Sequence, residues 1–365
     1  MNPLATTRRR GPLNSVAWTT LERPEGILLG FLVGLCVVFG LVANGFASGA
    51  NAATILASAA VLAMITIGQT VAMISGGFDL SVSGVAPLAG VLFVTLSNQH
   101  VPLGLDILVV LAVGAVIGCA NGTVVAKLEI NPLIVTLATL SITEGIAYLV
   151  SDGVTIPLNS AGAAFLANPI PGNVPLFVPL TVVVAIVTAL VLSFTTVGRR
   201  VYGVGGNRTA AWLAGIRVDL VTIGTFATCS VLAAVAGIMV ASELVAGSGT
   251  VESTAALDSI AAVVIGGAAL TGGEGSVTGS LLGVLIIATI GNGLELLHIS
   301  AFYQQIATGC LLLAAVAAQR VRKIAVGRVR TGGTESELGT GSPAPVDPDR
   351  EAFGPHPDVG TKTEA

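Results

Sequence analysis

Gly26–Ala47 reads GILLGFLVGLCVVFGLVANGFA and holds no charged side chain. As a helix rising about 1.5 Å per residue, it reaches across the roughly 30 Å hydrocarbon core of a bilayer, a crossing that takes about 20 apolar residues. Arg8, Arg9 and Arg10 stand ahead of it. The run is longer than the apolar core of a secretory leader, about 7–15 residues, so it predicts a retained first membrane span.

Downstream the same signal recurs over Asn51–Ile74, Leu80–Leu96, Leu105–Ala126, Pro132–Val150, Leu176–Val197, Val221–Ala241, Ser259–Leu270, Val277–Leu297 and Ala301–Ala318. About ten spans are expected. Ser259–Leu270 is too short to cross upright, so it either extends upstream or forms a half-helix. The chain of 365 residues is 53% hydrophobic and only 10% charged, against about 25% charged in soluble domains. Its mean hydropathy is +0.90. A water-facing surface needs more charge than this. The fold class expected is all-α, a polytopic transmembrane helical bundle. The 46 glycines fit it, since small residues let helices approach closely in lipid.

Positive charge fixes the orientation, because Lys and Arg collect in cytoplasmic loops. With Arg8–Arg10 inside, Lys127, then Arg199, Arg200, Arg208 and Arg217, then Arg320, Arg322 and Lys323 all return to the same side. The opposite connections, including Ser151–Pro175, carry no Lys or Arg. Both termini are therefore expected in the cytoplasm. Residues 1–25 read as a tail and 26–323 as the transmembrane domain. Residues 324–365, rich in Gly, Pro, Thr, Glu and Asp, read as a disordered tail. The net charge of −4 says little about nucleic acid, and none is expected as a partner.

Cys36, Cys119, Cys229 and Cys310 each lie in an apolar run without CxxC spacing, and read as small buried hydrophobes. No metal cluster or nucleophile–base motif is present. The three lysines, Lys127, Lys323 and Lys362, make no Gly-Lys-Ser/Thr phosphate loop. The chain is expected to bind no cofactor and to have no ATP site.

Polarity stands out where lipid penalises it. Ser75–Val82 places Gly76, Gly77 and Asp79 between two spans and Ser81 at the start of the second, where an acid must face protein, water or a partner. A helix cap on the following span, by Asp79 or Ser81, is an equally good reading. Gly198–Arg217 is the one sizeable basic loop. In it Asn207 would cap a short helix, with Ala211, Leu213 and Ile216 available for packing. Gly266–Ser276, with Gly272, Gly273 and Glu274, reads either as a flexible turn or as a break between half-helices beside a transport path. Glu144, inside the fifth span, costs about 2.5–3.5 kcal/mol on insertion scales for a comparable acid, and reads either as a functional candidate lining the path or as a structural hydrogen-bonding acid. Ile74–Phe93 and Ile265–Ile286 echo one another weakly.

Five blocks, in order, resemble a known family: GGFDLSVS from Gly76, NPLIVTLATLSITEGIAYLVSDG from Asn131, GRRVYGVGGNRTAAWLAGI from Gly198, LDSIAAVVIGGAALTGGEGSVTGSLLG from Leu257, and NGLELLHISAFYQQIATGCLLLAAV from Asn292. They look like the ribose/xylose/galactose-type permeases of ATP-binding-cassette importers, within the wider group of branched-chain amino-acid permeases. The resemblance implies a chain of the bacterial plasma membrane. A second permease subunit, identical or not, would complete the pore. Cytoplasmic ATPases would hydrolyse ATP, and an extracytoplasmic binding protein would deliver a monosaccharide. It further implies that Gly76, Gly77, Asp79, Ser81, Thr139, Glu144, Gly272, Gly273 and Glu274 shape the path or gate. Gly198, Arg199, Arg200, Tyr202, Gly205, Gly206, Asn207, Ala210 and Ala211 would form the ATPase-coupling surface. An amino-acid or other small polar solute, or an ion-coupled carrier, is the alternative. Glu144 and Glu274 are acids where the family is often basic or uncharged, which would favour an amino-bearing solute or pairing elsewhere.

Overall fold

A computed structural model describes residues 24–160, 162–300, 302–310, 313, 314, 316 and 317. Arg8–Arg10, Arg320, Arg322, Lys323 and almost all of the two expected tails lie outside the described residues. The helices are α1 (Pro24–Val42), α2 (Gly49–Ile74), α3 (Val82–Asn98), α4 (Leu103–Lys127), α5 (Pro132–Ser151), α6 (Phe177–Phe194), α7 (Thr196–Gly206), α8 (Arg208–Leu213), α9 (Val218–Leu244), α10 (Ala255–Ile265) and α11 (Val277–Leu296). Residues 302–310 are also helical. The only strands among the described residues are two-residue pairs. The protein is a polytopic helical membrane protein.

Seven helices, α1, α2, α4, α5, α6, α9 and α11, are long and apolar enough to cross a membrane, with α3 and α10 shorter. The expected eighth span, Ser259–Leu270, is corrected. Its helix starts earlier, at Ala255, and stops at Ile265. Gly266 caps it and Gly267 turns left-handed at φ +91°, so Leu270 lies in a non-helical connection.

Helices α2 and α9 form the centre. Their most apolar stretches are 78% and 61% buried, against 6% for α1 and 17% for α5. Helix α9 packs on α2, α3 and α4. Small residues set these distances. Gly114, Gly118 and Gly122 make a stripe on α4. A Cβ on Gly118 would sit 2.6 Å from the Ala227 Cα, and one on Gly122 2.6 Å from the Ile223 Cα. Backbone thus lies against backbone, the close approach that lipid-embedded helices use in place of hydrophobic drive. The peripheral helices expose Val, Leu and Ile. For the same reason three cysteines are not buried. Cys229 is, but Cys36, Cys119 and Cys310 are exposed, correcting the expectation for those three. In a bilayer-soluble bundle, apolar character does not send a side chain inward.

Contacts give the bundle two distinct ends. The end of α3 meets the start of α4 through the Ser97 Oγ–Asp106 Oδ2 hydrogen bond of 2.5 Å. The same end holds the α5–α6 connection, whose strand Ile156–Pro157 pairs antiparallel with Ala246–Gly247 after α9. Asn98 ties α3 there, donating to the Pro157 carbonyl at 2.9 Å and accepting from the Asn159 amide at 2.9 Å. Lys127, at the far end of α4, and Arg199, Arg200, Arg208 and Arg217, on or beside α7 and α8, lie at the other end, called the basic end below.

Candidate functional site

Helix α2 stops where Gly76 turns left-handed at φ +87° and the Gly77 amide reaches back to the Ala72 carbonyl at 2.9 Å. A Cβ on Gly77 would lie 2.9 Å from the Phe226 ring of α9, so the break is pressed against that helix. Beyond it, Asp79 and Ser81 are fully buried. Asp79 Oδ1 accepts the Ser81 amide at 3.0 Å and the Ser81 hydroxyl at 2.5 Å, and Oδ2 accepts from Ser230 of α9 at 3.4 Å. Asn121 of α4 donates to the Ser81 hydroxyl at 3.1 Å, and Thr139 of α5 donates to Asn121 at 2.6 Å. With its amide oriented to satisfy both atoms, Gln69 of α2 donates to the Asp79 carbonyl at 3.1 Å and accepts its amide at 3.3 Å. One acid thus gathers five helices. The capping reading is half right: Ser81 occupies the N-cap of α3, yet its side chain makes no cap bond, because the hydroxyl is spent on Asp79.

A second junction is made of glycine. The connections α2–α3 and α10–α11 meet the end of α7. A Cβ on Gly272 would lie 2.8 Å from the Gly76 Cα and 3.0 Å from the Gly205 carbonyl oxygen, and one on Gly273 2.7 Å from the Gly206 Cα. One on Gly205 would run into the Ile74 carbonyl and lie 2.7 Å from the Gly273 nitrogen. Gly272 and Gly273 also need left-handed backbone, φ +82° and +77°. The Gly273 amide donates to the Ile74 carbonyl at 2.9 Å, and the Tyr202 hydroxyl donates to the Gly275 carbonyl at 2.7 Å. Burial raises the Tyr202 pKa above its ordinary value of 10.0.

Helices α7 and α8 form the basic loop. Thr195 caps α7 by accepting the Gly198 amide, and Asn207 caps α8 by accepting the Ala210 amide at 2.9 Å. Gly198 is buried against Leu192. Val204, Ala211 and Val218 pack together with Ile216 beside them. Leu213 lies outside this cluster. It is 73% exposed and Trp212 67%, a protruding apolar pair beside the basic residues of this loop. Arg199, Arg200, Gly206, Asn207 and Ala210 are exposed. Arg208 and Asp219 pair at 3.9 Å across exposed surface, a contact of little energetic weight.

Glu144 is half-buried and Glu274 exposed, and neither side chain makes a hydrogen bond or ion pair among the described residues. They stand apart from the Asp79 network. Sequence reasoning missed Gln69, Asn121 and Ser230, which complete that network. It also missed the role of Ser83, whose hydroxyl accepts the Ala256 amide at 2.8 Å and pins the start of α10 on α3. Their signal was a polar side chain inside a membrane span, the same signal that picked out Glu144.

The family described as branched-chain amino acid transport system / permease component matches residues 51–316. Among curated relatives, the ribose import permease protein RbsC of Haemophilus influenzae is 36% identical over 291 residues, 79% of this chain and 90% of the relative. RbsC of Bacillus subtilis is 35% identical over 305 residues, 81% and 92% of the two chains. The L-arabinose transport system permease protein AraH of Escherichia coli K12 is 34% identical over 323 residues, 88% and 98%. No solved structure matches the chain.

Proposed function

The chain belongs to the permease-component family of branched-chain amino acid transport systems, and from that premise we propose that it carries a monosaccharide or related small polar solute into the cell. It is the membrane-spanning subunit of an ATP-binding-cassette importer, a multi-pass protein of the bacterial inner membrane. Its partners by class are an ATPase and a solute-binding protein. In this reading the ATPase docks at the basic end, which faces the cytoplasm. A second permease subunit completes the pore, and ATP is bound and hydrolysed by the partner alone. The absence of a Gly-Lys-Ser/Thr stretch in the whole sequence supports the last point. The relatives named for ribose and arabinose support a sugar over an amino acid.

The observation that carries the reading is the glycine junction. A force applied to the exposed faces of α7 and α8 passes through Gly205 and Tyr202 to both broken connections at once. Arg199, Arg200, Asn207 and Ala210 offer the docking face, with Trp212 and Leu213 as apolar anchors of the kind that dominate interfaces. Gly76, Gly77, Gly272 and Gly273 are the moving parts. Asp79, Ser81 and Thr139 are the fixed network beside them. Glu144 and Glu274, unpaired, are free to face the path.

The test is reconstitution with the cognate ATPase and binding protein. Uptake is expected only with all three and ATP. Substituting Trp212 and Arg199 together by Ala is expected to release the ATPase on co-purification; an ATPase that stays bound counts against this docking face.

A further inference from the structure

At the end of the bundle opposite the glycine junction, α2, α10, α11 and the helical residues 302–310 border an open cavity of about 560 Å³. Thr254, Asp258, Glu295, Gln304, Gln305 and Thr308 line it, over walls that include Leu62 and Ile287. We infer that this cavity holds the solute during transport, and that it takes a neutral polyhydroxylated molecule of monosaccharide size. The inference rests on the transport reading above and adds the place where solute sits.

The chemistry of the lining fits hydroxyl groups. Carboxylates accept, side-chain amides both donate and accept, and a threonine hydroxyl does either. These groups are also available. Glu295, Gln304, Gln305 and Thr308 make no side-chain hydrogen bond among the described residues, and Asp258 has only the Thr254 hydroxyl, which donates to its Oδ2 at 2.8 Å. No lysine or arginine among the described residues lines the cavity. Its volume falls within the roughly 300–1,000 Å³ of small-molecule sites.

The geometry ties the cavity to the motor end. Helices α10 and α11 flank the Gly266–Ser276 break, so each has one end at the glycine junction and the other at the cavity. The first turn of α10 brings Asp258, and the last turn of α11 brings Glu295. The wall contributed by α2 is fixed to α11 by a reciprocal amide pair, Asn51 and Asn292, donating to one another at 2.9 Å in both directions. Helix α10 is the shortest of the three; Ser83 holds its start, where Ala255 and Ala256 are buried in the core, and Gly283 of α11 lies against its Ala262 backbone. A displacement at Gly272 and Gly273 is passed to α10 and α11, which leave that break in opposite directions along the chain, and changes the width of the cavity. Solute release is thereby linked to movement of α7.

The test uses the full importer in proteoliposomes, with D-ribose and L-arabinose as probes. Failure of the unmodified complex to import either sugar would contradict the transport reading; failure confined to variants concerns the cavity. The double variant D258A/E295A is expected to lower sugar uptake about tenfold or more, the scale of losing hydrogen bonds to a bound solute. Co-purification of the ATPase should be retained. D258N/E295Q keeps the hydrogen-bonding shape and is expected to stay within about threefold of the unmodified protein. Gly291→Leu, which fills the cavity without removing a polar group, is expected to block uptake, and serves as the independent readout if the double alanine variant does not assemble. Unchanged uptake by D258A/E295A, or by Gly291→Leu, would overturn the inference. So would loss of uptake in D258N/E295Q as complete as in the alanine pair, since that would mark a site for a cationic solute.

Discussion

Asp79 is an acid placed where no water reaches it, and its neighbours explain why it persists. Ser81, Ser230 and Gln69 meet its side chain and backbone, and Asn121 and Thr139 extend the network to α4 and α5. Asp79→Ala leaves the Ser81 and Ser230 hydroxyls short of a partner, at about 1–3 kcal/mol for each buried group left unsatisfied. Its thermal midpoint in detergent should fall well below that of Asp79→Asn, which keeps an acceptor; equal midpoints would remove the network argument. Glu252, in the connection between α9 and α10, behaves differently. Burial, reinforced by Asp258 and Glu243, raises its pKa from the ordinary 4.5 to about 7. The folded state therefore binds this proton more tightly than the unfolded chain. The associated stability is present below about pH 4.5 and is lost as pH rises through about 7. The melting temperature should decline between pH 5 and pH 8 in the native protein, and less so in Glu252→Gln. Asp79, Ser81 and Thr139 were legible in the sequence, on the cost of polarity in a span and on the family's blocks. That they bond to one another through Asn121 was not, because a lone polar residue on an apolar helix does not say which helix it faces.

At the scale of elements, two close approaches carry the account. The α4 stripe lies so near α9 that Gly118→Leu has no room, with Ala227 backbone 2.6 Å from where a Cβ would stand. That variant is expected to be recovered poorly from membranes and to unfold at lower temperature; Gly104→Leu, with nothing within 4 Å, is the control. At the junction, Gly205→Ala drives a methyl against the Ile74 carbonyl. The complex should still bind its ATPase through α8 while ATP hydrolysis no longer drives uptake, a ratio measured in one proteoliposome preparation. Coupled uptake at the native rate would contradict the junction's role. The sequence marked both glycine breaks and the basic loop as separate features. The short helix capped by Asn207 was readable from local chemistry, since the cap lies three residues from the amide it accepts. That all three segments touch depends on how α2, α7 and α11 are carried by the rest of the bundle, which local patterns do not encode. The boundary of α10 was misjudged for a related reason. Apolar Ala268, Ala269 and Leu270 continue the run beyond Ile265, while the backbone has already left the helix at Gly266 and Gly267.

Over the whole molecule, composition determined the class of protein directly, since a chain with 10% charged residues has no way to coat itself for water. It was less informative about which faces turn inward. Helix α2 is largely buried and α1 almost wholly exposed at comparable hydropathy, 1.9 and 2.4, and three of four apolar-run cysteines look outward. In lipid, hydrophobicity places a helix in the membrane, and packing of small residues decides its neighbours. The bundle that results has a basic end bearing α7 and α8 and an opposite end bearing the polar cavity, joined by α10 and α11. In the proposed function, work enters at the basic end from a separate motor. Accumulation of labelled sugar inside proteoliposomes, compared with and without the ATPase and binding protein, tests this most directly. Uphill uptake is predicted only for the complete, ATP-supplied assembly; uphill uptake by the purified chain alone, on an ion gradient or without one, would contradict it.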